Sequence, residues 1–279
     1  MPGVRSRARI AALTTLGALA AAALGAVPAQ AAEVTFTTAD GVRISATYTP
    51  AGTGKAPAVI LAHMFGGDRS QWALLVPQLR RAGIASLAYD IRGMGRSTAL
   101  RGGRTYRPPG GSAYTNSMPR DVRAAVGWLR RRPDVDPSRI GYVGWSAGAR
   151  TGAIVAGVEP RLRTVVLMSG GATPISSYAG RAPASLRPAI RRYLGAVDPL
   201  RYVPRATGSA LLLQDGRRDQ IVPRSALDAL AHAAPKGTTV RWYDADHGLN
   251  AKAYHDQLVW LARKLRLSGP PVKGALTGP

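Results

Sequence analysis

The chain has 279 residues, with 38 Lys plus Arg against 15 Asp plus Glu, a formal net charge of +23, and no cysteine. With 46% apolar and 19% charged residues the composition is globular, and the chain is long enough to bury a core without disulfides or a structural metal. The missing cysteine excludes disulfides, thiolate catalysis, cysteine zinc sites and iron–sulfur clusters.

Arg5, Arg7 and Arg9 form a basic front to the apolar, uncharged run 10–27. Pro28 then precedes the small-x-small triplet Ala29-Gln30-Ala31. That order reads as a secretory signal peptide over 1–31. The rival is an uncleaved membrane anchor, against which the Ala-rich composition and Thr14 and Thr15 argue. Cleavage after Ala31 removes three arginines and no acid, leaving +20.

Residues 34–38 and 42–48 alternate apolar and polar side chains around Asp40-Gly41, which predicts a β-hairpin. Residues 58–62 and 85–89 are short apolar runs expected of strands buried on both faces. Between them, Trp72, Leu75 and Leu79 share a helical face over 71–82, and Gly83 stops it. Residues 98–117, rich in Gly, Pro, Arg and Tyr, read as an irregular loop, and 120–132 as a helix. Further strands are predicted at 140–144, 164–168, 210–214 and 239–243, and further helices at 147–158, 224–234 and 252–267. Strands alternating with helices predict an α/β domain over about 32–268, its mostly parallel eight-stranded sheet covered by helices on both faces. The tail 269–279 reads as disordered.

The chemistry gathers at strand ends. Gly144-Trp145-Ser146-Ala147-Gly148 follows a predicted strand and opens a predicted helix, the context a G-x-S-x-G elbow requires. A tight strand-to-helix turn needs small neighbours two residues either side of the serine, and the helix N-terminus favours developing negative charge. A serine nucleophile needs a base, and the base an orienting acid. Of the four histidines, His247 follows the last strand directly. His232 and His255 fall in helices, where a surface role is expected, and His63 ends the strand at 58–62, where tethering neighbouring loops is expected. For the acid, Asp219 lies past the strand at 210–214 and completes the chain order Ser, acid, His. Asp215, nearer the strand end, is its main competitor, with Asp244 and Asp246 ranked lower because they adjoin His247. Two amides should face an oxyanion: that of Ala147 after the nucleophile, and that of Phe65 in the loop His63-Met64-Phe65-Gly66-Gly67-Asp68.

The elbow at 144–148, Gly216-x-x-Asp219, His247-Gly248 and the turn Asp90-Ile-Arg-Gly-Met-Gly-Arg-Ser97 together resemble the α/β-hydrolase superfamily over residues 34–266. The hairpin at Asp40-Gly41 and the run Asp136-Pro-Ser-Arg139-Ile140 are most similar to its dienelactone-hydrolase-like and prolyl-oligopeptidase-like branches. The resemblance implies hydrolysis of a small ester or amide through an acyl-enzyme, without metal or organic cofactor, and a structural role for the 90–97 turn. It also implies a cap, here only the short segment 171–208 with a helix near 184–194. Met64 stands where the family's oxyanion loop usually has glycine. Tyr106, Tyr114, Tyr178 and Trp145 could shape the pocket, although packing or surface roles are the commoner fate of such residues. The reading is a secreted serine hydrolase of the carboxylesterase type. The alternatives are a serine peptidase, an acyltransferase, or a basic binding protein without catalysis. The charge suits association with an anionic wall or membrane surface, while the lack of a recognition motif or aromatic–basic interleaving argues against nucleic acid.

Overall fold

The computed structural model describes residues 30–267, except 53, 109–111, 173–178 and 181. The expected signal peptide, apart from its last two residues, and the expected tail therefore lie outside the described residues. Strands β1 (Ala32–Thr37) and β2 (Val42–Thr49) form the expected hairpin in antiparallel register, Phe36 opposite Ile44. The turn closes because the Thr38 hydroxyl reaches Asp40 Oδ1 at 2.6 Å and Gly41 takes a positive φ of +86°.

The other strands are β3 (Ala56–Ala62), β4 (Ala85–Tyr89), β5 (Ala99–Leu100), β6 (Val135–Trp145), β7 (Leu162–Met168), β8 (Ala210–Gly216) and β9 (Thr239–Tyr243). The sheet runs in the order β1-β2-β4-β3-β6-β7-β8-β9, antiparallel across β1, β2 and β4 and parallel from β4 onward. Eight strands form the main path as expected. A ninth, the two-residue β5, pairs with Val42 and Arg43 of β2 inside the segment expected to be wholly irregular. The central strands are apolar and buried on both faces, as helices on both sides require. One face packs Ile60, Leu87, Tyr142 and Leu167 against Val122, Val126 and Ala153. The other packs Leu61, Val143 and Val166 against Trp72, Leu79, Leu258 and Leu261.

The helices are α1 (Leu75–Arg81), α2 (Ser112–Arg130), α3 (Ala147–Ala156), α4 (Arg187–Gly195), α5 (Pro199–Tyr202), α6 (Arg224–Ala233) and α7 (Ala251–Lys264). Two expectations shift. The single helix expected at 71–82 is split, because Asp68 caps a 3₁₀ turn over Arg69–Trp72 by accepting from the Ser70 amide, and α1 starts afresh at Leu75. Helix α2 begins eight residues earlier than expected and runs through Pro119, whose ring removes one backbone donor without ending the helix. In the cap segment, a 3₁₀ turn over Ala184–Leu186 leads into the largely exposed α4, and α5 returns to pack on α3.

Candidate active site

The site lies at the carboxyl ends of the parallel strands, where open α/β sheets meet ligands. Ser146 follows β6, the strand with β3 on one side and β7 on the other. Its backbone sits at φ +54° and ψ −108°, a left-handed conformation that L residues rarely hold outside functional turns. Both flanking glycines are sterically required. A Cβ on Gly148 would lie 2.2 Å from the Ala62 carbonyl oxygen of β3, and one on Gly144 would lie 2.4 Å from the Gly148 backbone. The elbow is further pinned by the Ser146 amide, which donates to the Met168 carbonyl at 2.9 Å. Ala147 opens α3, so its amide sits at a helix N-terminus.

Asp219 and His247 come together although 28 residues separate them in sequence: His247 Nδ1 and Asp219 Oδ2 are 2.8 Å apart. Past their ends, β8 and β9 continue to pair. The Arg217 amide donates to the Tyr243 carbonyl at 2.9 Å and the Arg218 amide to the Ala245 carbonyl at 3.0 Å. Gly216 lets the loop carrying His247 pass, since a Cβ there would lie 2.4 Å from the Asp246 carbonyl oxygen. The Asp219 carboxylate is nearly fully buried, and its Oδ1 accepts from the Ile221 and Val222 amides at 2.9 and 3.0 Å. With Oδ1 taken up by those two amides, Oδ2 is left facing the imidazole, an arrangement that suits a ring proton on Nδ1. Nε2 of His247 is buried and carries no hydrogen bond, not even from Ser146.

The competitors for the acid role are placed elsewhere. Asp215 is buried at the end of β8, in register with Trp242 of β9, and burial followed by the negative charge of Asp219 pushes it up to about 7. Asp244 pairs with Arg218 at the surface, and Asp246 accepts from the Gly248 amide at 3.1 Å within its own turn.

His63 takes the tethering role expected of it. Its Nδ1 lies 2.7 Å from the Met64 carbonyl, and its Nε2 accepts from the Ile91 amide at 2.9 Å, which joins the loop after β3 to the loop after β4. Burial pushes the imidazole below its ordinary 6.5, consistent with the neutral tautomer those two bonds demand. Met64 fits the position where the family usually has glycine, because the positive φ of this loop falls at Gly66, at +78°. Phe65 lies in the turn just past β3, the strand next to the elbow strand, and is 64% exposed.

The 90–97 turn is structural, as the resemblance implied. Asp90 accepts from the Arg69 and Arg96 amides at 2.9 and 2.8 Å, and Ser97 donates to the Asp90 carbonyl at 2.7 Å. Beside it, the fully buried Arg92 joins Asp121 of α2, with Nη2 at 2.7 Å, to Asp40 of the hairpin turn, with Nη1 at 2.7 Å. Tyr106 lies under the same guanidinium, 5.8 Å from its centre, which makes it a packing residue. The side chain of Tyr114 and the whole of Tyr178 lie outside the described residues. His232 and His255 are exposed on α6 and α7.

Two contacts went unforeseen. Trp145 Nε1 and Ser169 Oγ each donate to the His247 carbonyl at 2.9 Å. The first could have been sought from the adjacency of Trp145 to Ser146; no local pattern marks the second.

A family model described as the alpha/beta hydrolase fold matches residues 57–201. The uncharacterized protein Rv2307c of Mycobacterium tuberculosis (strain ATCC 25618 / H37Rv) is 32% identical over 205 residues, which is 72% of this chain. The chain spans 66% of that relative's length. Among solved structures, the alpha/beta hydrolase GrgF from Penicillium sp. sh18 has a TM-score of 0.70 at 17% identity, covering 86% of this chain and 100% of that one. Acetyl xylan esterase 1 from Thermoanaerobacterium sp. JW/SL YS485 has a TM-score of 0.66 at 22% identity, covering 86% and 84%. At those identities the structural likeness is one of fold. The family match runs from β3, through the elbow and into the cap segment, and the sheet order is continuous on either side of it. The chain belongs to the α/β-hydrolase fold family.

Proposed function

We propose that this chain is an exported serine hydrolase that cleaves carboxylic esters through an acyl-enzyme. The observation that carries the reading is the 2.8 Å contact of Asp219 with His247, on a loop bonded to the residue just before Ser146. Ser146 Oγ attacks the ester carbonyl carbon while His247 Nε2 takes its proton. Asp219 keeps the imidazole in the tautomer that can accept that proton and balances the imidazolium that forms. The carbonyl oxygen becomes an oxyanion, to which the Ala147 and Phe65 amides donate. Collapse breaks the bond to the alkoxy oxygen, which leaves as the alcohol with the proton from His247. Water then repeats the sequence at the acyl-serine, releasing the carboxylic acid and restoring Ser146.

An ester substrate is favoured over a peptide because the cap is small and the described part of it is open, with Leu186 of the turn before α4 53% exposed. A fold neighbour named as an acetyl xylan esterase supports the same choice. Export is supported by the order of basic front, apolar run and small-residue site before Ala32.

The test is Ser146→Ala in purified protein, assayed on short p-nitrophenyl esters. Turnover is expected to fall to background with the melting temperature preserved. Unchanged turnover would remove the assignment. A parallel panel of peptides and acyl acceptors separates esterase from peptidase and acyltransferase activity.

A further inference from the structure

We propose that Ser169 and Trp145 are positioning residues for His247, holding its backbone so that the imidazole faces Ser146. The inference rests on the roles proposed above for Ser146, His247 and Asp219. The contact of Nδ1 with Asp219 fixes one point of the ring. A ring held at one atom still swings about that contact, so the direction of Nε2 depends on where the backbone of His247 is held. The turn behind it bonds mainly to itself: the Gly248 amide donates to Asp246 Oδ1 at 3.1 Å and the Leu249 amide to the Asp246 carbonyl at 3.2 Å. What ties the His247 carbonyl to the sheet is the pair of side-chain donors, Trp145 Nε1 and Ser169 Oγ, each at 2.9 Å.

Those donors stand on the two strand ends that also carry the nucleophile. Trp145 ends β6 immediately before Ser146, and the Ser146 amide donates to the carbonyl of Met168, the last residue of β7. Ser169 follows Met168. Nucleophile and base are thus referenced to the same pair of strands. The conformation of Ser169 points the same way. Its φ is +50°, a value glycine would hold at lower cost, yet a fully buried serine stands there, with two glycines following it. A strained residue whose buried hydroxyl reaches the base loop has the mark of a functional constraint.

The experiment compares the full chain with Ser169→Gly, Ser169→Ala and Trp145→Phe. For each, kcat, KM, melting temperature and the rate at which a fluorophosphonate labels Ser146 are measured. Each variant is expected to lose about five- to tenfold in kcat and in labelling rate, the loss of one buried hydrogen bond, with KM within about twofold. The two Ser169 variants should lose alike in kcat although only glycine relieves the left-handed backbone, so their melting temperatures should differ. A wild-type protein that resists labelling would overturn the serine-hydrolase reading itself. A labelled wild type whose Ser169→Gly and Trp145→Phe variants react at its own rate would overturn the positioning inference alone. So would a loss of kcat that follows melting temperature and not the hydroxyl.

Discussion

The two carboxylate oxygens of Asp219 face different partners: Oδ2 meets His247 Nδ1 at 2.8 Å, while Oδ1 accepts the Ile221 and Val222 amides. This division predicts the effect of Asp219→Asn. The amide oxygen would keep the two backbone donors, which turns the NH₂ group toward His247. The imidazole would then have to leave Nδ1 unprotonated and carry its proton on Nε2, where it cannot accept one from Ser146. Ester turnover is expected to fall about 10⁴-fold, with little change in melting temperature. Steady-state kinetics beside a thermal melt checks this, and a loss below about tenfold would remove Asp219 from the mechanism.

The elbow should tolerate no added carbon. Gly148→Ala places a Cβ against the fixed Ala62 carbonyl and is expected to cost about 2–3 kcal/mol, read as a lower urea midpoint. Gly208→Ala is the control, since nothing lies within 4 Å of its Cβ, and it should change stability by less than about 0.5 kcal/mol. Equal midpoints for the two variants would contradict the steric account.

Asp215 should make the protein less stable as pH rises. Its carboxyl is pushed up to about 7 from the ordinary 3.8. At pH values below 3.8 it is neutral in both folded and unfolded chains. Between 3.8 and 7 the unfolded chain releases this proton while the folded one keeps it, so stability falls across that window and levels off above it. Asp215→Asn keeps the shape without the titration. It is expected to exceed the wild type by on the order of 2–4 kcal/mol at pH 8 and to match it near pH 3.5. Urea denaturation at both pH values decides, and a difference independent of pH would count against the argument.

The basic excess should show as salt-sensitive adhesion. A chain with 38 basic and 15 acidic residues is expected to bind anionic vesicles or wall polymers at low ionic strength and to be released as salt shortens the Debye length from about 10 Å at 0.1 M. Co-sedimentation across a salt series reads this, and binding that ignores salt would exclude an electrostatic origin. Ester turnover in solution should not require the surface.

Much of the site was readable because its requirements are local. The glycines around Ser146 are dictated by one turn, so their spacing in sequence already encodes the contacts with Ala62 and Gly148. Buried strands such as 58–62 and 85–89 declare themselves as short apolar runs because both faces are covered. Chain order admits Asp215 and Asp219 alike, and only the resemblance of Gly216-x-x-Asp219 to the family pattern favoured the residue that the structure pairs with His247. The physical reason, the pairing of β8 with β9 beyond their ends, is a tertiary contact. Ser169 was illegible for the same reason: its hydroxyl meets a carbonyl 78 residues away, and nothing in Met168-Ser169-Gly170 marks it. The early start of α2 was missed because glycine and proline before Met118 outweigh in local propensity the packing that draws Met118 and Val122 into the core.

The order of the strands also sets a distance. Strand β1 lies at one edge of the sheet and β9, from which the His247 loop hangs, at the other. Seven strand spacings between them amount to roughly 33 Å. Ala32, the first residue of β1, thus stands on the margin of the sheet opposite the one that carries His247.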